Sequence, residues 1–452
     1  PQRTVTPDEV EAVAIEDADV RYCSFDIEVD DRGPMPVPGG EIIHTDSEIV
    51  TIPAYDSFDD EYIGFINLGE RELREVLPEL VESGEPPGCL DRIKYDYDER
   101  SMLKTFFQYV QDRDPDVLLA WNNLGFDAPY LIERTNAIGL DPGEMARGPQ
   151  AKAGVRYNEP SISGRVVYDL MKAWERMQYT EVSARLNNAA QMELDDPDIV
   201  HGESIYELWQ DDAASLLEYN GDDVELMVRI NEAAGVLDDR EELKDTVGVD
   251  YEQTYEANDF IGMLTRRKLR EWSVAGPTKT PPSNDGDDDY EGALTLPAFE
   301  GVKHNVTSID LSSLYPMSMR MLNSSPETLV DVVDNPQQYV QEHDGVRAAP
   351  NGAVFRDDED GLFRALVDEA LELTQQAGRR RDSFPAGSEM WEYWNQTREA
   401  RKRIRNGLYG VLGWVWFFLY DEPVAEAVTT IGQAVIGHTR DWVNENTVAE
   451  VI

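Results

Sequence analysis

The order of apolar and polar positions divides the 452-residue chain into a series of predicted elements. Alternation with a period of two marks RYCSFDIEVD (21–30), EIVTIPAY (48–55) and YIGFINL (62–68) as strands, and the apolar run VLLAWN (117–122) as another. Apolar positions at helical spacing predict helices over 99–113, from Ala128 onward and over 213–235. This alternation of strands and helices from Arg21 to about Val236 indicates an α/β domain. A long helix over 252–272 follows, then GPTKTPPSNDGDDDYEG (276–292), whose prolines and acids mark a connection and not core. A strand then leads to Asp310, and 361–382 and 388–412 read as two helices joined by the turn SFPAGS, an antiparallel hairpin. No repeat recurs at a solenoid period.

A chain of this length can hold two or three domains, each with its own core. No run of about 18 apolar residues occurs, and the opening PQRTVTPDEV has neither a basic start nor an apolar core. A soluble, cytoplasmic protein without a membrane span is therefore expected. Only Cys23 and Cys89 are present, with no Cys-x-x-Cys pair, so neither a zinc ribbon nor a disulfide framework can be argued.

Charge changes the picture more. There are 90 acidic residues against 40 basic ones, a net charge of −50. Taken alone this argues against a nucleic-acid partner, because affinity for a polyanion comes largely from cations on phosphates. In molar salt the Debye length falls to about 3 Å, repulsion is screened, and an acidic surface keeps a protein soluble. The acids run through the whole chain instead of forming one tail, which favours adaptation to a salt-rich cytosol.

Three stretches carry candidate chemistry in the first half. In CSFDIEVD the alternation sets Phe25, Ile27 and Val29 on one strand face and Asp26, Glu28 and Asp30 on the other. Two carboxylates spaced in this way lie roughly 6–7 Å apart and suit a pair of hard cations bridged by a phosphate oxygen. A solvated strand face is the simpler reading in so acidic a chain. LLAWNNLGFDAPYL places Asn122 at a strand end and Phe126-Asp127 where a helix begins, and Asp127 could equally be an N-cap. In LLEYNGDDVELM, Tyr219 and Asp223 stand at i and i+4 on one helix face.

Taken together, Asp-x-Glu, Asn-x-x-x-Phe-Asp and Tyr-x-x-x-Asp, in this order over about 200 residues, resemble the three exonuclease motifs of the 3′–5′ proofreading domain of family B DNA polymerases. GRVVYDLMKAW, ARLNNAA and HGESIYELWQDD are also similar to that family. The resemblance implies a ribonuclease-H-like fold in which Asp26, Glu28, Asp127 and Asp223 hold two Mg²⁺ or Mn²⁺ ions, one generating hydroxide and one stabilising the leaving 3′ oxygen. It implies further that Tyr219 orients the attacking water and that Asn122 and Phe126 contact DNA.

DLSSLYP resembles motif A of the same family. The resemblance makes Asp310 a ligand of both polymerase metals, brings Leu311, Ser313 and Leu314 to the nucleoside triphosphate, and puts Tyr315 under its sugar as a gate against ribonucleotides. Met317 stands where the family usually has Ser. In REARKRIRNGLYGVLG, Lys402, Asn406 and Tyr409 recur at i, i+4 and i+7, so one helix face carries an ammonium, an amide and a ring. From Gly378 to Gly410 eight basic residues face four acidic ones, a basic island in an acidic chain. The segment is similar to motif B, the fingers helix, with Lys402 on the triphosphate and Asn406 and Tyr409 beside the nascent base pair. Gly407 replaces the usual Ser there. Of Arg379, Arg380 and Arg381, Arg380 is the expected triphosphate contact from the first fingers helix. Upstream, YEGA resembles the template-binding motif between the two activities, which implicates Tyr290 and Gly292.

The Tyr-x-Asp-Thr-Asp of motif C occurs nowhere, and the terminal NENTVAEVI reads like the strand that precedes it. The expectation is a fragment of a halophilic archaeal polymerase. It comprises a remnant of an N-terminal region (1–20), an exonuclease domain (21–236), a first part of an α+β palm (237–360) containing the acidic loop 276–292, a helical-hairpin fingers segment (361–412) and a second part of the palm (413–452). Expected partners are primer-template DNA, single-stranded 3′ ends, deoxynucleoside triphosphates and, by family only, a sliding clamp. A split enzyme with motif C on a second polypeptide is a related expectation, and a non-catalytic DNA-binding or assembly subunit is the alternative from another class.

Overall fold

The computed structural model describes residues 20–33, 45–148, 151–157, 159–178, 183–194, 204–278, 294, 304–307, 310–311 and 313–447. Tyr290, Gly292 and the terminal residues 448–452 lie outside them, as do 295–303 and 308–309 on the way to Asp310; the described 304–307 form no strand. The chain divides into two compact units, Pro1–Val236 and Leu237–Ile452.

The first unit is built on a seven-stranded sheet. Its strands are β1 (Tyr22–Phe25), β2 (Glu28–Val29), β3 (Ile49–Asp56), β4 (Glu61–Asn67), β5 (Arg92–Asp96), β6 (Val117–Ala120) and, after a small separate hairpin of β7 (Ala153–Arg156) and β8 (Glu159–Ile162), β9 (Val166–Asp169). The order is β5-β4-β3-β1-β6-β9, with β2 paired to β3. β1, β6 and β9 run parallel, with Ser24 opposite Leu119 and Ala120 opposite Asp169. Parallel neighbours end at the same edge of a sheet, so the residues just past β1, those just past β6 and the end of β9 come together there.

Apolar residues fill both faces of the sheet. On β4, Phe65 packs in a cluster with Phe25, Phe106 and Leu131, whereas its neighbour Ile66 packs with Leu68 and Leu217. Phe65 meets Phe106 edge to face at 5.4 Å, and burial of each such ring stabilises the fold by about 1.5–3 kcal/mol. One ion pair ties the layers to the entry of β3. Arg134, on the Ala128–Ala137 helix, grips Glu99 of the Glu99–Arg113 helix at 2.8 and 2.7 Å. Glu99 Oε1 also accepts the Ile49 N–H at 2.8 Å, while Arg134 donates to the Thr45 and Asp46 carbonyls.

The second unit holds the Ala257–Glu271 helix, a Leu314–Leu322 helix, a three-stranded sheet and three long helices. The sheet pairs β12 (Ala353–Arg356) with β10 (Leu329–Val332) on one side and β11 (Val346–Ala348) on the other, all antiparallel. Leu362–Arg381 and Glu389–Leu412 form the expected antiparallel helical hairpin, and Ser388 caps the second helix by accepting the Trp391 N–H. A 25-residue helix, Glu422–Asn446, follows. Phe260, Met319, Phe363, Leu366, Leu408 and Val428 share one core with residues from all these helices. No helix among the described residues is long and apolar enough to cross a membrane.

Two predicted elements differ. The strand over 21–30 is interrupted at Asp26-Ile27 and resumes as β2 with a register shift against β3. The helix over 252–272 is a 3₁₀ turn, Tyr251–Thr254, followed by a separate helix from Ala257. Asp250 and Gln253 close a capping box around the turn, and Glu256 is extended at φ −110°, so the helical hydrogen bonds begin afresh after it.

Candidate active site

The break in the first strand creates the site. With β1 ending at Phe25, Asp26 and Glu28 turn toward the Ala213–Ala234 helix. Carboxylate oxygens of Asp26, Glu28 and Asp223 all lie within 4.8 Å of one another. Each of the three residues keeps some accessible surface, which an arriving ion needs. Asp30 does not join them: its carboxylate is taken by Arg32 at 2.7 Å, because the register shift ends the simple alternation.

Asp127 arrives from β6. Asn123–Asp127 forms a single π-type turn before the Ala128–Ala137 helix, and the Asp127 side chain makes no capping bond to that helix. Such turns recur at functional sites because they re-aim one side chain. Asp127 lies beside Asp26, close enough for the two carboxyls to share a proton, and its Oδ1 is buried without a hydrogen-bond partner. A Cβ on Gly125 would stand 2.3 Å from Asn122 Oδ1, so a larger residue there would push the Asn122 side chain aside. Phe126 is half-buried, its ring 5.4 Å from Tyr130.

Two residues that sequence reasoning left without a role hold this turn. Asn123 donates to the carbonyls of Leu118 at 2.8 Å and Tyr168 at 3.0 Å, bridging β6 to β9. Asp169, at the end of β9, accepts the Leu124 N–H at 3.0 Å and the Lys172 N–H at 2.8 Å. The signal for Asp169 was its place directly before an amphipathic helix, where Asp caps. Asp169→Ala is expected to weaken Mn²⁺ binding at the cluster about tenfold, in the range found when groups that orient metal ligands are removed. Titration calorimetry checks this, with Asp169→Asn, which keeps one acceptor, retaining most of the affinity. Equal affinity in all three proteins would show that Asp169 does not orient Asp127.

The electrostatics of the cluster are those of crowded carboxylates. Burial, then Asp127, Glu28 and Asp223, push Asp26 well above the usual range. Burial, then Asp223, Asp127 and Asp31, raise Glu28 to about 8. Burial and then Asp169 raise Asp127 to about 7, partly offset by the Ile27 N–H, and burial raises Asp223 to about 7 against a hydrogen bond from the Tyr219 hydroxyl. No cation is among the main contributors to these balances. Oxygen-only donors, mutual repulsion and an unpartnered buried oxygen fit a hard divalent cation.

Glu28, Asp127 and Asp223 have folded values above those of the unfolded chain, so the metal-free fold loses stability as pH rises from about 4 to about 8. A divalent metal held by these acids would offset that loss. The rise in melting temperature on adding Mn²⁺ is therefore expected to be small at pH 5 and several degrees at pH 8.5; an equal rise at both would contradict the raised values. Cys89, Asp222 and Glu225 form a second compact group, but burial, followed by the two acids, pushes the thiol up to about 12 and keeps it protonated, a poor metal donor.

In the second unit, Asp310 is exposed just ahead of the Leu314–Leu322 helix, with Leu311 and Ser313 half-buried and Ser313 in the left-handed region at φ 62°. Leu314 and Tyr315 open that helix, which packs on the hairpin helices and on Glu422–Asn446. The Tyr315 ring stacks on Tyr409 at 4.5 Å and 21°, and a Cβ on Gly432 would meet its Cε1 at 3.0 Å. Lys402, Asn406 and Tyr409 follow one face of the Glu389–Leu412 helix; Asn406 is exposed, and the Lys402 ammonium lies 2.9 Å from Glu399. Burial acts to raise Glu399, but the bond from Lys402 and the charges of Lys402, Arg398 and Arg403 hold it below the usual range. Arg380 is exposed, its guanidinium 5.9 Å from the Trp394 ring.

A family model described as "DNA polymerase family B, exonuclease domain" matches residues 3–189, and one described as "DNA polymerase family B" matches residues 237–452. The chain belongs to DNA polymerase family B. Among curated relatives, DNA polymerase 2 of Aeropyrum pernix is 27% identical over 348 residues, 75% of this chain and 42% of that protein. The DNA polymerase of Archaeoglobus fulgidus is 25% identical over 84% of this chain and 46% of its own length. The solved family B DNA polymerase from the hyperthermophilic archaeon Pyrobaculum calidifontis superposes with a TM-score of 0.75 at 25% identity, covering 97% of this chain and 53% of that one. The chain thus spans about half the length of the relatives it matches.

Proposed function

We propose that the chain acts in DNA synthesis as the proofreading and nucleotide-binding portion of a DNA-directed DNA polymerase, and that its first unit is a 3′–5′ exodeoxyribonuclease. The observation that carries this reading is the convergence of Asp26, Glu28 and Asp223, with Asp127 beside Asp26, in a chain of this family. Two divalent ions, Mg²⁺ or Mn²⁺, would be held by these four acids and would supply charge stabilisation and an activated water for phosphodiester hydrolysis. Tyr219, through its bond to Asp223, holds the orientation of that carboxylate and presents its hydroxyl to the attacking water. Asn122 and Phe126 face the 3′ end of the strand.

In the second unit, Asp310 serves as a metal ligand for nucleotidyl transfer, and Leu311, Ser313 and Leu314 follow the triphosphate. Tyr315, braced by Tyr409, sits under the sugar, while Lys402 and Arg380 neutralise phosphates and Asn406 borders the base pair. Tyr290 and Gly292 contact template. The net charge of −50 supports a halophilic, archaeal host and cytoplasmic location, and a sliding clamp is a partner on family grounds.

The test is a 3′-labelled single strand incubated with the chain in molar KCl. Nucleotide release with Mg²⁺ that stops on chelation supports the nuclease. Tight DNA binding with no release under any divalent metal would favour a binding subunit.

A further inference from the structure

The Ala257–Glu271 helix carries TRRKLRE over its last two turns, and its four cations have two different surroundings. Arg267 donates to the Val247 carbonyl at 3.0 Å and lies 3.4 Å from Glu369; the Lys268 ammonium is 2.6 Å from Glu369 and 2.9 Å from Glu271. Arg266 and Arg270, one turn apart, are exposed, and among the described residues neither meets a carboxylate. In a chain with 90 acidic residues against 40 basic ones, two adjacent guanidinium groups left unpaired are a local departure from the charge of the whole surface.

Both line an open cleft of about 540 Å³ whose other walls include Ser273, Gly276 and Phe418. The Arg266 guanidinium stands 4.7 Å over the Phe418 ring, which restricts its orientation. Ser273 takes the left-handed conformation at φ 59°, and the Val274 N–H returns to the Leu269 carbonyl at 2.9 Å, so the chain folds back over the helix end. A Cβ on Gly276 would lie 3.1 Å from Leu269 and 3.3 Å from Phe418, so the wall approaches its floor because Gly276 has no side chain.

We propose that this cleft is a nucleic-acid contact: Arg266 and Arg270 bind successive phosphates of one DNA strand, the Ser273 hydroxyl donates to one of them, and the Phe418–Arg266 stack offers a flat surface to a base. Side chains one helical turn apart, with Cβ atoms about 5–6 Å from each other, address two neighbouring anions along a strand. A platform of ring and guanidinium beside paired cations is the usual combination for single strands. The choice of DNA as the polyanion rests on the family reading, whereas the cationic cleft does not. A surface at −50 repels DNA as a whole, so affinity must come from such local sites and must fall steeply with salt.

The test is fluorescence anisotropy of a labelled single-stranded oligonucleotide with the full chain, in EDTA to stop degradation, over a series of KCl concentrations. Arg266→Gln/Arg270→Gln is expected to weaken binding about tenfold and to lower the slope of log affinity against log salt by about 1.4, roughly 0.7 for each lost phosphate contact. Arg92→Gln/Lys94→Gln, which removes the same charge from the first unit, controls for net charge and is expected to leave the slope nearly unchanged. If wild type binds and the Arg266/Arg270 variant matches it in affinity and slope, the cleft is not a DNA contact and the family reading stands. If both double variants lose equally, only bulk charge is at work and the proposal falls. If wild type itself does not bind DNA at any salt, the proposal fails together with the DNA-binding reading.

Discussion

Asp26→Ala is expected to lower the release of 3′-terminal nucleotides from single-stranded DNA by about a thousandfold or more. Metal-held charge stabilisation in phosphoryl transfer is worth several kcal/mol, and about 4 kcal/mol corresponds to three decades in rate. Asp26 stands among Glu28, Asp127 and Asp223, so its loss removes a ligand and at the same time reduces the repulsion among the remaining acids. The variant should therefore fold at least as well as wild type in the absence of metal while losing activity. Single-turnover rates alongside melting curves separate the two effects. Residual activity within a few-fold of wild type would remove Asp26 from the chemistry, and loss of activity accompanied by unfolding would leave only a structural role for it.

The second large effect is on stability. Arg134→Ala leaves the Glu99 carboxylate buried with, among the described residues, only the Ile49 N–H as a partner, and breaking a buried pair from one side costs about 3–5 kcal/mol. It also frees the Thr45 and Asp46 carbonyls that Arg134 holds. For a unit of this size the melting transition is expected to fall by roughly 6–20 °C. Arg134→Ala combined with Glu99→Leu should recover part of the loss, because no uncompensated charge then remains. A fall of less than about 2 °C in the single variant would mean that the pair is solvated despite its position.

The sequence made the site more legible than the fold around it. Asp26, Glu28, Asp127 and Asp223 were legible only as a set, through the resemblance of their three motifs to the family, because each stretch alone reads as a solvated strand face, an N-cap or a surface pair. The helices at 99–113 and 213–234 could be found because their apolar spacing is long and regular. β10, β11 and β12, each three or four residues long, fell below what periodicity resolves, and β7 and β8 are equally short. The Glu422–Asn446 helix was missed because Thr429, Thr430, Gly432 and Gly437 weaken its helical signal, while its packing against the other helices restores it. Asn123 and Asp169 were overlooked for a different reason. They act through backbone groups of distant strands, and no local pattern reports which carbonyl a side chain will reach.

The contact between Glu399 and Lys402 bears on how the proposed nucleotide site would rest. Both side chains are partly exposed, and an exposed pair of this kind is worth about 0–1 kcal/mol, so it would park the ammonium on its own helix without barring a ligand. On the reading in which Lys402 meets a triphosphate, binding would exchange one carboxylate for several phosphate oxygens at little cost.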